Sequence, residues 1–157
     1  MSAEPIWFLA NLMEIHYPAD GDQPGLIEVT APSGDMPPLH VHADEAEAFY
    51  VLEGSLEVWV GTGVHRTLAA GEAVRAPAGI PHTYRVGPAG ARFLVPASAR
   101  FEAFVRAVGE PAPERVLPTP APPDLERLGA LAAAAGITLL GPPGALPTSD
   151  AAVAASA

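Results

Sequence analysis

An all-β fold, a double-sheet jelly roll followed by one or two short α-helices, is predicted by three features of this 157-residue chain. Short apolar runs cut by Gly, Pro and Asp clusters dominate the region before Pro96, the rhythm of strands joined by tight turns. Within it, Ser55 to Val60 alternates Leu56, Val58 and Val60 with Ser55, Glu57 and Trp59, so one face of that strand is buried. After Pro96 the period changes, because Phe101, Phe104, Val105 and Val108 recur at i, i+3, i+4 and i+7, the stripe of an amphipathic helix. Several antiparallel strands on short turns must protect their edges. A jelly roll does so and leaves its interior open at one end.

Taken in order, Ile6 to Ile15 and Leu26 to Thr30 read as strands on either side of the turn-rich Pro18-Ala19-Asp20-Gly21-Asp22. Glu47 to Leu52 and Ser55 to Val60 flank Glu53-Gly54. Gly61-Thr62-Gly63 turns the chain into Val64 to Leu68, and Ala69-Ala70-Gly71-Glu72 turns it again before Ala73 to Ala76. His82 to Val86 and Arg92 to Val95 complete a barrel expected to occupy residues 1–98. Ser98 is placed to cap the first helix and Gly109 to stop it. Six prolines within residues 111–123 make a stiff, extended linker. A second helix, capped by Asp124, should run through Leu125, Leu128 and Leu131 to Gly136, within a helical extension over residues 99–140. From Gly141 onward there is too little to bury, and residues 141–157 are expected to form a disordered tail.

Composition narrows the function. Eight Lys+Arg against 18 Asp+Glu give a formal net charge of −10, which disfavours a phosphate backbone or an anionic membrane surface as partner. Without cysteine there is no disulfide framework, thiolate nucleophile or zinc-thiolate cluster. No apolar segment approaches the roughly 20 residues needed to cross a bilayer. The opening Met1-Ser2-Ala3-Glu4-Pro5 lacks the positive region of a secretory signal, so a cytoplasmic location is expected.

Two blocks carry the chemistry: Gly34-x5-His40-x-His42-x4-Glu47-x6-Gly54 and Gly71-x5-Pro77-x-Gly79-x2-His82. His40 and His42, two apart on a strand, project from one face and can close on one ion. Glu47 follows one short turn later, and Gly79-Ile80-Pro81 supplies the turn chemistry that swings His82 towards the same interior. Together they make four ligands for one divalent transition metal. Fe, Mn, Co, Ni and Zn all suit three imidazoles and a carboxylate, and the residues do not choose among them. Glu45 is the competing carboxylate, but its loop is expected to point it to solvent. His16 and His65 sit beside turns and receive no role, and Trp7 and Trp59 are read as core or subunit-contact residues. Phe49, Val51, Tyr84 and Val86 share strand parity with Glu47 or His82, so they either line a substrate pocket or pack the barrel.

This double motif resembles the signature of the cupin superfamily, closely over roughly residues 30 to 95. The first block matches throughout; the second departs once, with Val86 where the family pattern has Asn. The wording Pro37-Pro38-Leu39-His40-Val41-His42 and Glu47-Ala48-Phe49-Tyr50-Val51-Leu52-Glu53-Gly54 is similar to small bacterial quercetin-dioxygenase-like cupins. The resemblance implies a double-stranded β-helix and pairing into a homodimer, for which the apolar run Ile6 to Met13 is the expected contact. It also implies a dioxygenase that adds O2 to a metal-bound enolate or phenolate of an aromatic or hydrophobic small molecule. Glu47 would be its catalytic proton acceptor, a task expected to need a carboxyl pKa raised by an apolar cavity. Non-oxidative isomerase, polyketide cyclase or lyase chemistry on the same site, or small-molecule binding without catalysis, are the alternatives.

Overall fold

The computed structural model describes residues 2–148, so the expected disordered tail lies outside the described residues from position 149 onward. Twelve elements follow one another: β1 (Glu4–Phe8), β2 (Asn11–Tyr17), β3 (Gly25–Ala31), β4 (Leu39–His42), β5 (Glu47–Val60), β6 (Val64–Ala69), β7 (Ala73–Ala76), β8 (His82–Ala97), α1 (Ala99–Val108), β9 (Glu110–Pro111), α2 (Leu125–Ala134) and β10 (Ile137–Gly141). All strand pairings between them are antiparallel, and the architecture is the jelly roll predicted above.

Two long strands organise it. β5 pairs with β7 along its first residues and with β6 along its last, and β8 pairs with β3, β4 and β5. Each therefore replaces two strands of the sequence reading. Gly54 and Gly90 hold positive φ values of 72° and 76° and bend continuous strands at places where two separate strands were expected. The backbones touch there: a Cβ on Gly54 would lie 2.0 Å from the Gly90 carbonyl oxygen. Gly54→Ala is expected to destabilise the fold by at least the ~1–3 kcal/mol of a strained backbone position, measurable as a lower midpoint in urea.

The single strand predicted from Ile6 to Ile15 is a hairpin, with Phe8 opposite Asn11 and a two-residue turn at Leu9-Ala10. Leu9 holds a φ of 54°, which costs a leucine about 1–2 kcal/mol. The apolar run proposed as the dimer contact is largely consumed inside the chain, since Ile6, Phe8, Leu12 and Met13 are all buried.

The core fills the space between the strands with alternate residues of β1–β3, β5 and β8, among them Ile27, Val29, Val51, Leu56, Val58 and Phe93, none more than 2 % exposed. Both helices are capped as their sequences indicate: the Ser98 hydroxyl accepts from Phe101 N at 3.0 Å and the Asp124 carboxylate from Arg127 N at 3.0 Å. The second helix leads, through Gly136 at φ 74°, into β10, a strand absent from the sequence reading. β10 lies against β4, with Ile137 opposite His42 and Leu139 opposite His40. The C-terminal segment thus supports the strand that carries two of the proposed ligands. Among the described residues no helix is long and apolar enough to cross a membrane.

Candidate metal centre

Local structure aims each proposed ligand. His40 and His42 stand on the four-residue β4, Glu47 opens β5 and His82 opens β8. The pairing of β4 with β8 sets His40 directly opposite His82. Before His82 the chain turns at Pro77–Ile80, closed by Ile80 N donating to Pro77 O at 3.2 Å. Gly79 supplies the positive φ of 76° that this turn needs, and its N–H donates to the His42 carbonyl at 2.8 Å, tying the second block to the first.

The four side chains converge. Their candidate ligand atoms all lie within 4.8 Å of one another. Glu47 Oε2 is the centre of the group, with Nε2 of His82 at 2.8 Å, of His42 at 3.2 Å and of His40 at 3.5 Å. His42, Glu47 and His82 are buried, and the His40 side chain is 12 % exposed. His40 Nδ1 lies 2.8 Å from the Pro38 carbonyl and His82 Nδ1 2.9 Å from the Ile80 carbonyl. A carbonyl oxygen only accepts, so both Nδ1 atoms donate, and in the neutral rings Nε2 presents a lone pair to the centre. Nε2 can face the carboxylate oxygen at these distances either by carrying a proton that it donates or by sharing a cation with it, and a divalent metal takes the place of those protons. Both His42 ring nitrogens are buried without a hydrogen-bond partner, the 3.2 Å approach to Glu47 being poorly aligned for one. The donor set, its burial and its orphaned imidazole fit a divalent metal site; they do not select the metal.

Burial alone would raise the Glu47 carboxyl, but the imidazoles of His40, His42 and His82 hold it well below its usual value of 4.5. This reverses the expected elevated pKa. Hydrogen bonding from the imidazoles outweighs desolvation, and Glu47 is an ionised carboxylate at neutral pH. Tyr84 shifts the other way: burial first, then the charges of Asp35 and Glu47, push its phenol well above 10.0. Because the folded state holds that proton more tightly than the unfolded chain, the stability it contributes is full below pH 10 and is lost as pH rises further. A spectrophotometric titration of the wild type against Tyr84→Phe should show one fewer phenolate forming near pH 10 in the folded wild type than its three tyrosines would give.

Two cavities reach the ligands. An inner chamber of about 80 Å³ touches His40, His42, Glu47 and Tyr84, and Phe8, Phe101, Phe104, Leu128, Ile137 and Leu139 help to wall it. It abuts an outer cavity of about 510 Å³ and shares Phe8, Leu9, Met13 and Tyr84 with it. On the other side, a cleft of about 320 Å³ between the Gly21–Pro24 loop and Phe101 reaches His42, Glu45 and Glu47. Of the four residues given pocket parity, Tyr84 alone lines these spaces. Phe49, Val51 and Val86 are at most 2 % exposed and pack the core, Phe49 edge-on to Tyr84 at 5.4 Å. Parity selects the inward face but not depth. The remaining apolar walls come largely from β1, α1, α2 and β10, whose approach no local signal predicts, although helical periodicity marks Phe101, Phe104 and Leu128 as apolar-face residues.

Other residues settle into simpler surroundings. His16 pairs with Glu28 at 2.8 Å, and His65 pairs with Glu57 at 2.9 Å while stacking on Trp59. The half-buried Trp7 donates to Val116 O at 2.8 Å. Glu45, expected to face solvent, has a side chain only 21 % exposed and turned towards His42.

The family model for the cupin domain matches residues 27–96. Over 66 residues, 42 % of the chain, the sequence is 39 % identical to a quercetin 2,3-dioxygenase of Bacillus subtilis (strain 168). The matched region spans only 19 % of that relative's length. Among solved structures, an RmlC-like cupin from Shewanella frigidimarina aligns over 65 % of this chain and 89 % of its own, with a TM-score of 0.54 and 20 % identity. An oxalate decarboxylase of Bacillus subtilis aligns over 67 % of this chain and 30 % of its own, with a TM-score of 0.54 and 18 % identity. At such identities the two structures speak for the fold alone.

Proposed function

Because this chain belongs to the cupin superfamily and gathers three imidazoles and a carboxylate at the mouth of an apolar cavity, we propose that it is a metal-dependent dioxygenase of the quercetinase kind. Its substrate would be an aromatic or hydrophobic small molecule with an ionisable enol or phenol. The observation that carries this reading is the convergence of three imidazoles and a carboxylate, with ligand atoms within 4.8 Å of one another, which leaves the centre suited to a cation; the 39 % identity to a quercetin 2,3-dioxygenase directs the choice of chemistry. A divalent transition metal, when bound, would supply Lewis acidity towards a substrate oxygen and a means of engaging O2.

The chain's own residues have assignable tasks. His40, His42, Glu47 and His82 hold the metal. Glu47, ionised and bordering both the inner chamber and the cleft, is the acceptor for the substrate proton; its lowered pKa makes it a weak base, so the transfer would depend on a substrate oxygen made acidic by the metal. Tyr84 keeps its proton and donates to an anionic substrate oxygen, while Phe8, Phe101 and Phe104 exclude water. The inner chamber is too small for a drug-sized ligand, for which sites of about 300–1,000 Å³ are usual. A flat substrate would therefore present its reactive edge to that chamber and keep its body in a larger neighbouring cavity. Tyr84→Phe is expected to lower kcat by about 10–100-fold, the worth of a hydrogen bond to a charged group, with little change in melting temperature.

The test is oxygen consumption by protein reconstituted with Fe(II), Mn(II), Co(II) or Ni(II), against a panel of flavonols and β-diketones. Stoichiometric O2 uptake with substrate loss is the expected result. Substrate turnover without O2 uptake would overturn the dioxygenase reading and point to isomerase, cyclase or lyase chemistry on the same residues.

A further inference from the structure

We propose that Glu45 is the positioning residue for His42, taking the Nδ1–H of that imidazole when its Nε2 holds the metal; this rests on the four-ligand site proposed above. His40 and His82 each have Nδ1 anchored to the carbonyl two residues upstream, at 2.8 and 2.9 Å. His42 has no such anchor. Its ring is buried and its Nδ1 has no hydrogen-bond partner. Across from it, Glu45 Oε1 is also buried without a partner, 3.7 Å away. A donor and an acceptor, both removed from water and both unused, face one another just beyond bonding distance. Less than 1 Å of closure would join them.

The loop bearing Glu45 is held from two sides, so the juxtaposition belongs to the fold. Arg100 of α1 pairs with Asp44 at 2.9 Å and approaches Glu45 Oε2 at 4.0 Å. Ala43 N donates to the Gly136 carbonyl at 2.9 Å, at the junction of α2 and β10. Gly136 packs on the Arg100 guanidinium so closely that a Cβ there would lie 3.1 Å from it. The C-terminal helices thereby set where Glu45 stands. Ligation at Nε2 makes the opposite N–H a stronger donor and leaves one tautomer, and a carboxylate behind it fixes the ring plane and raises the basicity of the ligating nitrogen. Glu45 is then neither a ligand nor a solvated loop charge. It orients one.

The test uses the full chain as Glu45→Ala, Glu45→Gln and Asp44→Asn, with His42→Ala as the ligand control. Co(II) and Zn(II) affinities are read by competition with a chromophoric chelator, the metal-free melting temperature by calorimetry, and the His42 Nδ1–H of the Zn(II) form by proton NMR. Glu45→Ala is expected to weaken metal binding about 10–100-fold and to lose the slowly exchanging Nδ1–H signal, with the metal-free melting temperature unchanged. Glu45→Gln, which keeps a neutral acceptor of the same shape and guards against misfolding, should fall between Glu45→Ala and wild type. Asp44→Asn keeps an oxygen acceptor for Arg100 and leaves the Ala43 tie to Gly136 intact, so affinity should stay close to wild type. Wild-type affinity in both Glu45 variants, with binding lost in His42→Ala, would overturn the role of Glu45 and leave the metal site standing. An equal loss in Asp44→Asn would also overturn it, by making the effect one of surface charge. Retention of wild-type affinity in His42→Ala would remove the metal site and this inference together.

Discussion

Elemental analysis of the purified protein should find close to one transition metal per chain, and His82→Ala should hold almost none after the same reconstitution. The expected loss of affinity exceeds the ~10–100-fold typical of removing a residue that hydrogen-bonds to a ligand, because this substitution removes a ligand itself. His82 is the ligand whose removal is expected to matter most. Its Nε2 is nearest to Glu47 at 2.8 Å, its side chain is 1 % exposed, and its Nδ1 is anchored to Ile80. No water can readily replace so enclosed an imidazole, and truncation leaves the buried Glu47 carboxylate with one fewer partner. Glu45 is no substitute, since it stands behind His42 rather than at the centre. Metal retained at one per chain in His82→Ala would place the binding site elsewhere and sink the proposed function with it.

Phe49→Ala should cost about 3–5 kcal/mol of stability, the range for truncating a buried aromatic, read from chemical denaturation of the metal-free protein. Phe49 is 2 % exposed and meets Tyr84, Phe93 and His82 with ring centroids at 5.4, 6.0 and 6.5 Å. The gap would open directly behind a ligand, so metal affinity should fall with stability. Tyr84→Phe keeps the ring and removes only the hydroxyl, so its effect should appear in turnover and hardly in folding. The pair separates two roles that strand parity leaves equal. Little destabilisation by Phe49→Ala, with a large rise in KM, would instead make Phe49 a substrate contact.

The ligand set was legible because its signals are local. His40 and His42 share a face through the two-residue repeat of a strand, and the Pro77–Ile80 turn requires Gly79 whatever the rest of the chain does. The helix caps at Ser98 and Asp124 were legible for the same reason. Where the reading failed, long-range packing had overridden local preference. Leu9-Ala10 carries none of the Gly, Asn or Asp chemistry of a tight hairpin, yet the burial of Ile6, Phe8, Met13 and Ile15 in one core forces the chain to reverse there. Gly54 and Gly90, which fall where the strands read as interrupted, bend two continuous strands past one another. The four residues Ile137 to Leu140 are too few to declare themselves a strand, and become one through pairing with β4.

By itself, then, the sequence determined the jelly roll, its two helices and the four side chains suited to one metal, each written in strand parity, turn residues or helical period. Only the tertiary structure decided how those side chains meet. It set His40 opposite His82, placed the apolar wall of α1, α2 and β10 over the ligands, sent Phe49, Val51 and Val86 into the core while Tyr84 reached the cavity, and turned Glu45 inward towards His42. The physical reason is one of range. Backbone preference is settled within a few residues, whereas burial and the balance of charge against desolvation depend on elements separated by scores of residues in sequence and only ångströms in space.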